Sequence, residues 1–470
     1  MKIAFIHYHL KTGGVTTVLR QQVEAIRDVC RTLVLSGAPP ESNFPAATRV
    51  LDTLAYDEFR TRPVVTPDTA AESVLEAIHA HFGAPADVVH VHNPTLSKNK
   101  YLLMILKALQ QKGATLLLQC HDFAEDGRPQ VYYSEPYPAD CHYGVINSRD
   151  YDLLIRAGLK PKGLHRISNT VKRFDFPTPR AAIANRVLYP IRAIRRKNIG
   201  EAILLSLYFR NQETLAITLP PNSPVDFTPY EDWKAFVREK HLNVKFDAGL
   251  TNDFLDLVQT SRFLLTTSIS EGFGFSFLEP WLADKLLWGR KLPEICTDFE
   301  RNGIRLDHLY SRLLVPLDWI DENAFHIHWR TCVEKIGDRF NADVSTAEIE
   351  TAASTITAND RIDFGFLNEG FQKQIISKLL TDKRAYRYLI RLNPYLSAPG
   401  IVAESADLIA HNREHIQKNY ALENYRQTLL SVYRHVAGTA IRQQIDKSAL
   451  LKGFMDLGQF SLLKWCDDAG

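Results

Sequence analysis

Thr266-Thr267-Ser268-Ile269-Ser270-Glu271-Gly272-Phe273-Gly274-Phe275-Ser276-Phe277-Leu278-Glu279-Pro280 follows the apolar run Phe263-Leu264-Leu265. A buried strand at 263–267 that ends in a loop with two glycines lets backbone N–H groups approach an anion where the next helix starts. Two carboxylates, Glu271 and Glu279, flank that loop. They stand on either side of a strand-loop-helix corner and not on one helix face, so they can hold two parts of one elongated ligand. Carboxylates accept paired hydrogen bonds from vicinal hydroxyls, which suits sugar and ribose rings. The competing reading is an ordinary helix N-cap with incidental acids.

The same strand-turn-helix grammar recurs along the chain. Ile3 to Ile6 form an apolar run, followed by Lys11-Thr12-Gly13-Gly14 and a helical pattern at Val15, Val18, Leu19, Val23 and Ile26. This opening is not a G-x-G-x-x-G fingerprint, and no clear acidic partner lies about 20 residues on, which argues against a nicotinamide enzyme. Further strands are expected at 32–35, 87–92, 115–121, 144–147 and 164–169, then at 186–191, 214–219 and 244–246. Apolar runs separated by helical patterns predict parallel sheets covered on both faces. Ligands of such sheets bind beyond the carboxyl ends of the strands, where His92, His121 with Asp122, and Asn169 fall. Lys172 to Arg186, with Pro177 and Pro179, reads as a linker between two α/β halves. Beyond the 186–191 strand, Arg192-Ala193-Ile194-Arg195-Arg196-Lys197 is a basic cluster able to neutralise a pyrophosphate, Arg192 as a fork and Lys197 as a point charge. A solvated basic turn is the other reading.

Composition sets the outer bounds. A chain of 470 residues predicts two or three domains, and 45% hydrophobic with 23% charged residues is ordinary for a globular protein. A net charge of +2 gives no reason to invoke nucleic acid. The cysteines at 30, 120, 141, 296, 332 and 466 show no C-x-x-C pair and no Cys/His cluster, so reduced thiols are expected, with neither a zinc site nor a disulfide framework. No apolar run reaches membrane-spanning length and the N-terminal run is too short for a secretory segment, so a cytoplasmic protein without stable membrane insertion is expected.

On these residues the chain resembles the large retaining group of GT-B nucleotide-sugar glycosyltransferases, which includes sucrose synthases and phosphatidylinositol mannosyltransferases. The carrying motif is Glu271-x7-Glu279, with Arg192-x4-Lys197 upstream. Gly13-Gly14-Val15, Val89-His90-Val91-His92, Cys120-His121-Asp122 and Ile167-Ser168-Asn169 match the same order. The resemblance implies two Rossmann-like domains facing a cleft: 1–175 on the acceptor side, 186–410 for the nucleotide sugar with an insertion at about 300–400, and helices at 411–470 crossing back. It implies that Arg192 and Lys197 meet the donor diphosphate. Glu271 would hold donor-sugar hydroxyls, aided by the amides of Gly272, Phe273, Gly274 and Phe275, and Glu279 the ribose. His121 would face the reacting sugar, and Gly13 and Gly14 would line the phosphate and acceptor side. No metal and no cofactor are implied beyond the nucleotide-sugar substrate. The partners would be that donor, UDP-, GDP- or ADP-linked, and a small-molecule or glycoside acceptor, in a protein that can be a homo-oligomer. An inverting or epimerase-like enzyme of the same fold, or a non-catalytic nucleotide-sugar binder, stays open.

Three departures from the family pattern bear on the fold. Pro190-Ile191-Arg192 stands where Gly-Arg is usual, Asn198 replaces the glycine after the lysine, and Pro220-Pro221 follows Leu219 in place of a glycine-rich turn. Gly289 to Ile295 resembles a shortened Gly-x-Pro-Glu turn. In the 300–400 segment, Phe325, Ile327, Trp329, Val333, Leu379, Leu380, Tyr386 and Leu389 predict folded structure, and Arg361, Asp363 and Arg384 are candidates to hold a polar acceptor.

Overall fold

A computed structural model describes residues 1–470 except 42, 62, 64–65, 177–181 and 467–470. The chain divides into two compact units, one of residues 1–171 and 419–455, the other of 172–418 and 456–470. The return to the first unit therefore begins at 419 and ends at 455, whereas the sequence had placed all of 411–470 there. Residues 177–181 of the expected linker lie outside the described residues.

The first unit is built on a parallel sheet of β1 (Lys2–His7), β2 (Arg31–Ser36), β3 (Ala47–Val50), β4 (Val88–His92), β5 (Leu116–Cys120), β6 (His142–Val145) and β7 (Leu164–Arg166). The strand order is β3-β2-β1-β4-β5-β6-β7. Helices Pro67–Phe82 and Leu102–Gln111 cover one face, where Val74, Ile78, Ile105 and Leu109 pack on Leu35, Val91 and Leu118. Helix Gly14–Ile26 and the returning helix Leu422–Gly438 cover the other, with Leu19, Val23, Leu429 and Tyr433 on Phe5, Val34 and Leu117. A sheet buried on both faces explains why its strands read as apolar runs without alternation.

The second unit carries β8 (Arg186–Arg192), β9 (Thr214–Leu219), β10 (Val244–Lys245), β11 (Phe263–Thr266) and β12 (Leu287–Gly289), in the order β10-β9-β8-β11-β12 and again parallel. A separate antiparallel pair joins β13 (Leu314–Pro316) to β14 (Arg361–Asp363). Pro190 lies in the middle of β8, and the ladder to β9 shifts register between Tyr189 and Arg192. A proline without an N–H is tolerated in a central strand at such an irregularity.

The expectation that all the cysteines are reduced thiols is overturned at one pair. Cys332 and Cys466 form a disulfide that ties helix Glu322–Phe340 to the chain end, while Cys30, Cys120, Cys141 and Cys296 are free and buried. Spacing in the sequence gave no sign of this pair, because the two residues are 134 apart. The 300–400 segment is folded and belongs to the second unit, where Phe325, Trp329, Val333 and Leu389 are buried while Ile327 and Leu380 are exposed. Among the described residues, no helix is long and apolar enough to cross a membrane.

Candidate functional site

In the second unit the strand order reverses direction at β8 and β11, the point where open parallel sheets leave a crevice beyond their carboxyl ends. Two of the residues singled out by the sequence, Lys197 and Glu271, meet there. Lys197 Nζ donates to Glu271 Oε1 at 2.5 Å, with the two side chains 16% and 11% exposed.

The turn and the loop that carry this pair are fixed to each other. Tyr189, on β8, donates its hydroxyl to the Lys197 carbonyl at 2.7 Å, accepts the Thr267 N–H at 3.2 Å and shares a hydrogen bond with Ser268. Thr267 Oγ1 donates to the Lys197 and Asn198 carbonyls at 3.1 and 3.0 Å, and the Ile269 N–H donates to the Arg196 carbonyl at 3.0 Å. Asn198 takes the left-handed conformation at φ 50°, which asparagine tolerates better than most side chains, so the missing family glycine leaves the turn intact. Its Oδ1 then caps helix Ile199–Ser206 at the Glu201 N–H and accepts from Gln372 Nε2 at 2.9 Å.

Burial alone pushes the Glu271 carboxyl up. The charges of Lys197 and Arg196, with hydrogen bonds from Lys197 and Ser268, outweigh it and hold the group below its ordinary value. Glu279 is the contrast. Burial pushes its carboxyl up to about 7, and it has no polar partner among the described residues. The two glutamates of one motif are thus prepared differently, one paired and ionised, one open and poised near neutrality.

The loop between them differs in detail from the expected helix start. Phe275–Phe277 is a 3-10 turn and Glu279–Leu282 a single short helical turn. Any amides offered by Gly272 to Phe275 therefore act as local donors and not through a long helix dipole. Gly274 has φ +87°, and a Cβ there would lie 2.9 Å from the Phe277 ring, so the corner requires glycine. Phe273 is buried and its ring packs against Phe275.

The basic cluster divides its duties. Arg192 is exposed and donates to the Pro220 carbonyl at 3.2 Å. Arg195 forks onto Glu369 at 2.6 and 2.8 Å and also bonds the Cys466 carbonyl, so it holds the turn and the chain end. Tyr189 and Thr267 are contributors to which sequence reasoning gave no role, whereas Arg196 belongs to the basic cluster it named; a tyrosine one residue before the Pro190 departure is the signal for the first. Asp363, expected to hold an acceptor, instead meets Arg290 at 2.6 and 2.9 Å, and Arg290 also forks onto Glu201. Arg361 and Arg384 are exposed.

In the first unit, His7, His92 and His121 stand at the carboxyl ends of β1, β4 and β5. His121 Nε2 is 2.8 Å from His92 Nδ1, and the His121 N–H donates to Asn93 Oδ1 at 2.7 Å. Burial pushes the His121 imidazole down to about 4 and His7 to about 3. His121 is therefore neutral near pH 7, able to donate one hydrogen bond and accept another. Asn169 follows β7 and is buried, its Oδ1 without a partner among the described residues. Gly13 and Gly14 open helix Gly14–Ile26, and nothing lies within 4 Å of where a Gly14 Cβ would be.

No protein-family profile matches the chain. It is 26% identical over 411 residues to a mannosylglucosyl-3-phosphoglycerate synthase of Petrotoga mobilis, covering 78% of this chain and 79% of that one. Among solved structures it resembles sucrose-phosphate synthase from Thermosynechococcus elongatus, with a TM-score of 0.52 and 15% identity over 92% of this chain and 98% of that one. It also resembles Anabaena HepE in complex with UDP and glucose, with a TM-score of 0.53 and 13% identity over 92% and 99%. The fold is GT-B. Both this fold and the sequence relative are those of glycosyltransferases, the class that the resemblance had implied. Within the GT-B chain the Lys197–Glu271 pair falls in the second Rossmann-like unit and the histidine cluster in the first.

Proposed function

We propose that this GT-B chain is a retaining glycosyltransferase that moves a sugar from a nucleotide diphosphate sugar to a small soluble acceptor. The observation that carries the reading is the Lys197–Glu271 ion pair at the switch point of the second sheet; Glu279, at the other end of the same loop, has a carboxyl with no partner among the described residues.

The roles follow from charge and hydrogen-bonding capacity. An ammonium has three donors, so Lys197 can keep one bond to Glu271 and turn the others to the donor diphosphate, with Arg192 as a second cation. Glu271, ionised, accepts from sugar hydroxyls, and the amides of Gly272 to Phe275 add donors. Glu279 accepts from the ribose. In the reaction an acceptor hydroxyl oxygen bonds to the anomeric carbon on the face from which the diphosphate departs. The carbon–oxygen bond to the diphosphate breaks, and the acceptor proton passes to the leaving phosphate oxygen. The protein's contribution is positioning and stabilisation of the developing charge. His121, neutral, is assigned to hydrogen-bond the reacting sugar, and no metal is needed for the step. The name of the Petrotoga relative, a synthase of a sugar phosphoglycerate, supports a small, anionic and soluble acceptor.

The test incubates the purified chain with UDP-, GDP- and ADP-sugars and small hydroxylated acids, with anomeric configuration followed by NMR. A product that keeps the donor's configuration is expected. An inverted product rejects retention, and absence of both transfer and hydrolysis with every donor rejects the activity.

A further inference from the structure

Three histidines far apart in the sequence meet in the first unit, away from the residues discussed so far. His142 opens β6, His165 is the middle residue of β7, and His435 lies near the end of the returning helix Leu422–Gly438. One ring nitrogen of each lies within 4.8 Å of the others. His142 Nδ1 and His165 Nε2 are 3.0 Å apart. The His435 ring stands edge-on to both, with centroids 5.7 Å from His142 and 5.4 Å from His165.

Two of the three rings also have their outer nitrogen engaged as a metal-bound imidazole does. His142 Nε2 is 2.8 Å from the Thr439 carbonyl, and His435 Nε2 is 2.9 Å from the Lys162 carbonyl. A carbonyl can only accept, so each of these nitrogens carries its proton and the Nδ1 atoms of His142 and His435 present lone pairs. Two of the three tautomers are fixed in this way; without a cation the His165 Nε2–H donates to His142 Nδ1, and that proton is displaced when a cation binds. Nitrogens bound to tetrahedral zinc at about 2.0–2.1 Å lie roughly 3.3 Å apart, so the His142–His165 edge needs to open by only a few tenths of an ångström.

We propose that His142, His165 and His435 form a three-histidine site for a divalent zinc-type cation that clamps the returning helix to the edge strands β6 and β7. His165 and His435 are half-buried, which leaves room for water as a fourth ligand. The site sits at the amino end of β6, opposite the carboxyl ends that carry His92 and His121, so its role is structural and not part of sugar transfer. A second such group among the described residues, His328 with Cys332 and Cys466, has its two sulfurs joined in a disulfide and is not available in this form.

The test titrates chelator-stripped protein with Zn2+ by calorimetry, and with Co2+ to read tetrahedral coordination by absorption. Equimolar binding is expected, with affinity reduced by at least ~10–100-fold in both His165→Gln and His435→Gln. Zn2+ should raise the melting temperature of the parent and not of His435→Gln. The double variant His411→Gln/His415→Gln removes the neighbouring-turn pair of the helix Ser405–Asn419 and should bind as the parent does. Absence of saturable Zn2+ binding, or unchanged affinity in His165→Gln and His435→Gln, overturns the site. Both positions are half-buried, and circular dichroism of the stripped variants separates lost binding from lost fold.

Discussion

Lys197 Nζ and Glu271 Oε1 lie 2.5 Å apart although 74 residues separate them, and Tyr189 and Thr267 bind the carbonyls on Lys197 and Asn198 that set the distance. The pair is mostly screened from water, so each charge depends on the other. Removing the lysine leaves the burial that pushes Glu271 up and deletes the largest influence that pulls it down.

Lys197→Ala should therefore lower turnover by about 10²–10³, the range found when one donor to a developing oxyanion is lost, roughly 2.7–4 kcal/mol. Glu271→Gln should lower transfer while leaving free nucleoside diphosphate affinity near normal, since the diphosphate lacks the sugar that Glu271 holds. Steady-state kinetics and calorimetry with the nucleoside diphosphate check both. Near-normal turnover in Lys197→Ala would count against the donor assignment.

Glu279 gives a prediction in pH. Its carboxyl is raised by burial to about 7. Ribose hydroxyls donate to the ionised form, so nucleoside diphosphate should bind more tightly as pH rises from about 6 to 8 through that value. A free phosphate group also titrates near pH 6. The Glu279→Gln variant isolates the carboxyl, because it should bind more weakly at pH 8 and lose that part of the pH dependence. A Glu279→Gln profile parallel to the parent's would assign the dependence to the ligand.

The strands were legible because burial on both faces writes them as apolar runs, and the site was legible where one local motif carries both carboxylates. β3 escaped notice because Ala47 to Val50 are mostly exposed and form no apolar run. The expected strand at 144–147 lies two residues early, at 142–145, since Asn147 instead caps the helix Ser148–Arg156. What the sequence could not disclose depends on partners distant in the chain: Tyr189 reaching Ser268, Glu369 holding Arg195, and Cys332 bonded to Cys466. The supporting role of the 300–400 segment was illegible for the same reason. Its Asp363, Glu369 and Gln372 support Arg290, Arg195 and Asn198 from behind, a role that no local pattern encodes.

Arg290 is the clearest case. It is buried between Glu201 and Asp363, with Tyr310 donating to Glu201 Oε1 at 2.6 Å. Arg290→Met should destabilise the second unit by about 3–5 kcal/mol, because two buried carboxylates lose their cation. Arg290→Lys should recover only part, since an ammonium cannot fork onto both acids. Urea unfolding reads the order parent, lysine variant, methionine variant. Equal midpoints would show the triad to be dispensable.

Buried histidines make the first unit sensitive to acid. His7, His90 and His121 are pushed by burial to about 3, 3 and 4, and His92 well below its ordinary value. An unfolded histidine titrates near 6.5. Below that pH the unfolded chain takes up protons that the folded unit refuses, so stability is complete above about 6.5 and falls as pH drops toward 4. Glu125 and Asp150, both raised by burial to about 7, act in the opposite sense: they hold protons when folded that the unfolded chain releases above about 4. The carboxyl contribution levels off near pH 4, whereas the histidines near 3 continue to lose stability below it. The net result is a first unit that weakens in acid. His121→Gln tests one member of the set, since it removes a titrating group while keeping a donor and an acceptor. Between pH 6.5 and 4.5 the unfolding free energy of the parent should fall more steeply than that of the variant, by up to about 1.4 kcal/mol per pH unit. Identical slopes would mean that His121 is protonated as readily when folded as when unfolded.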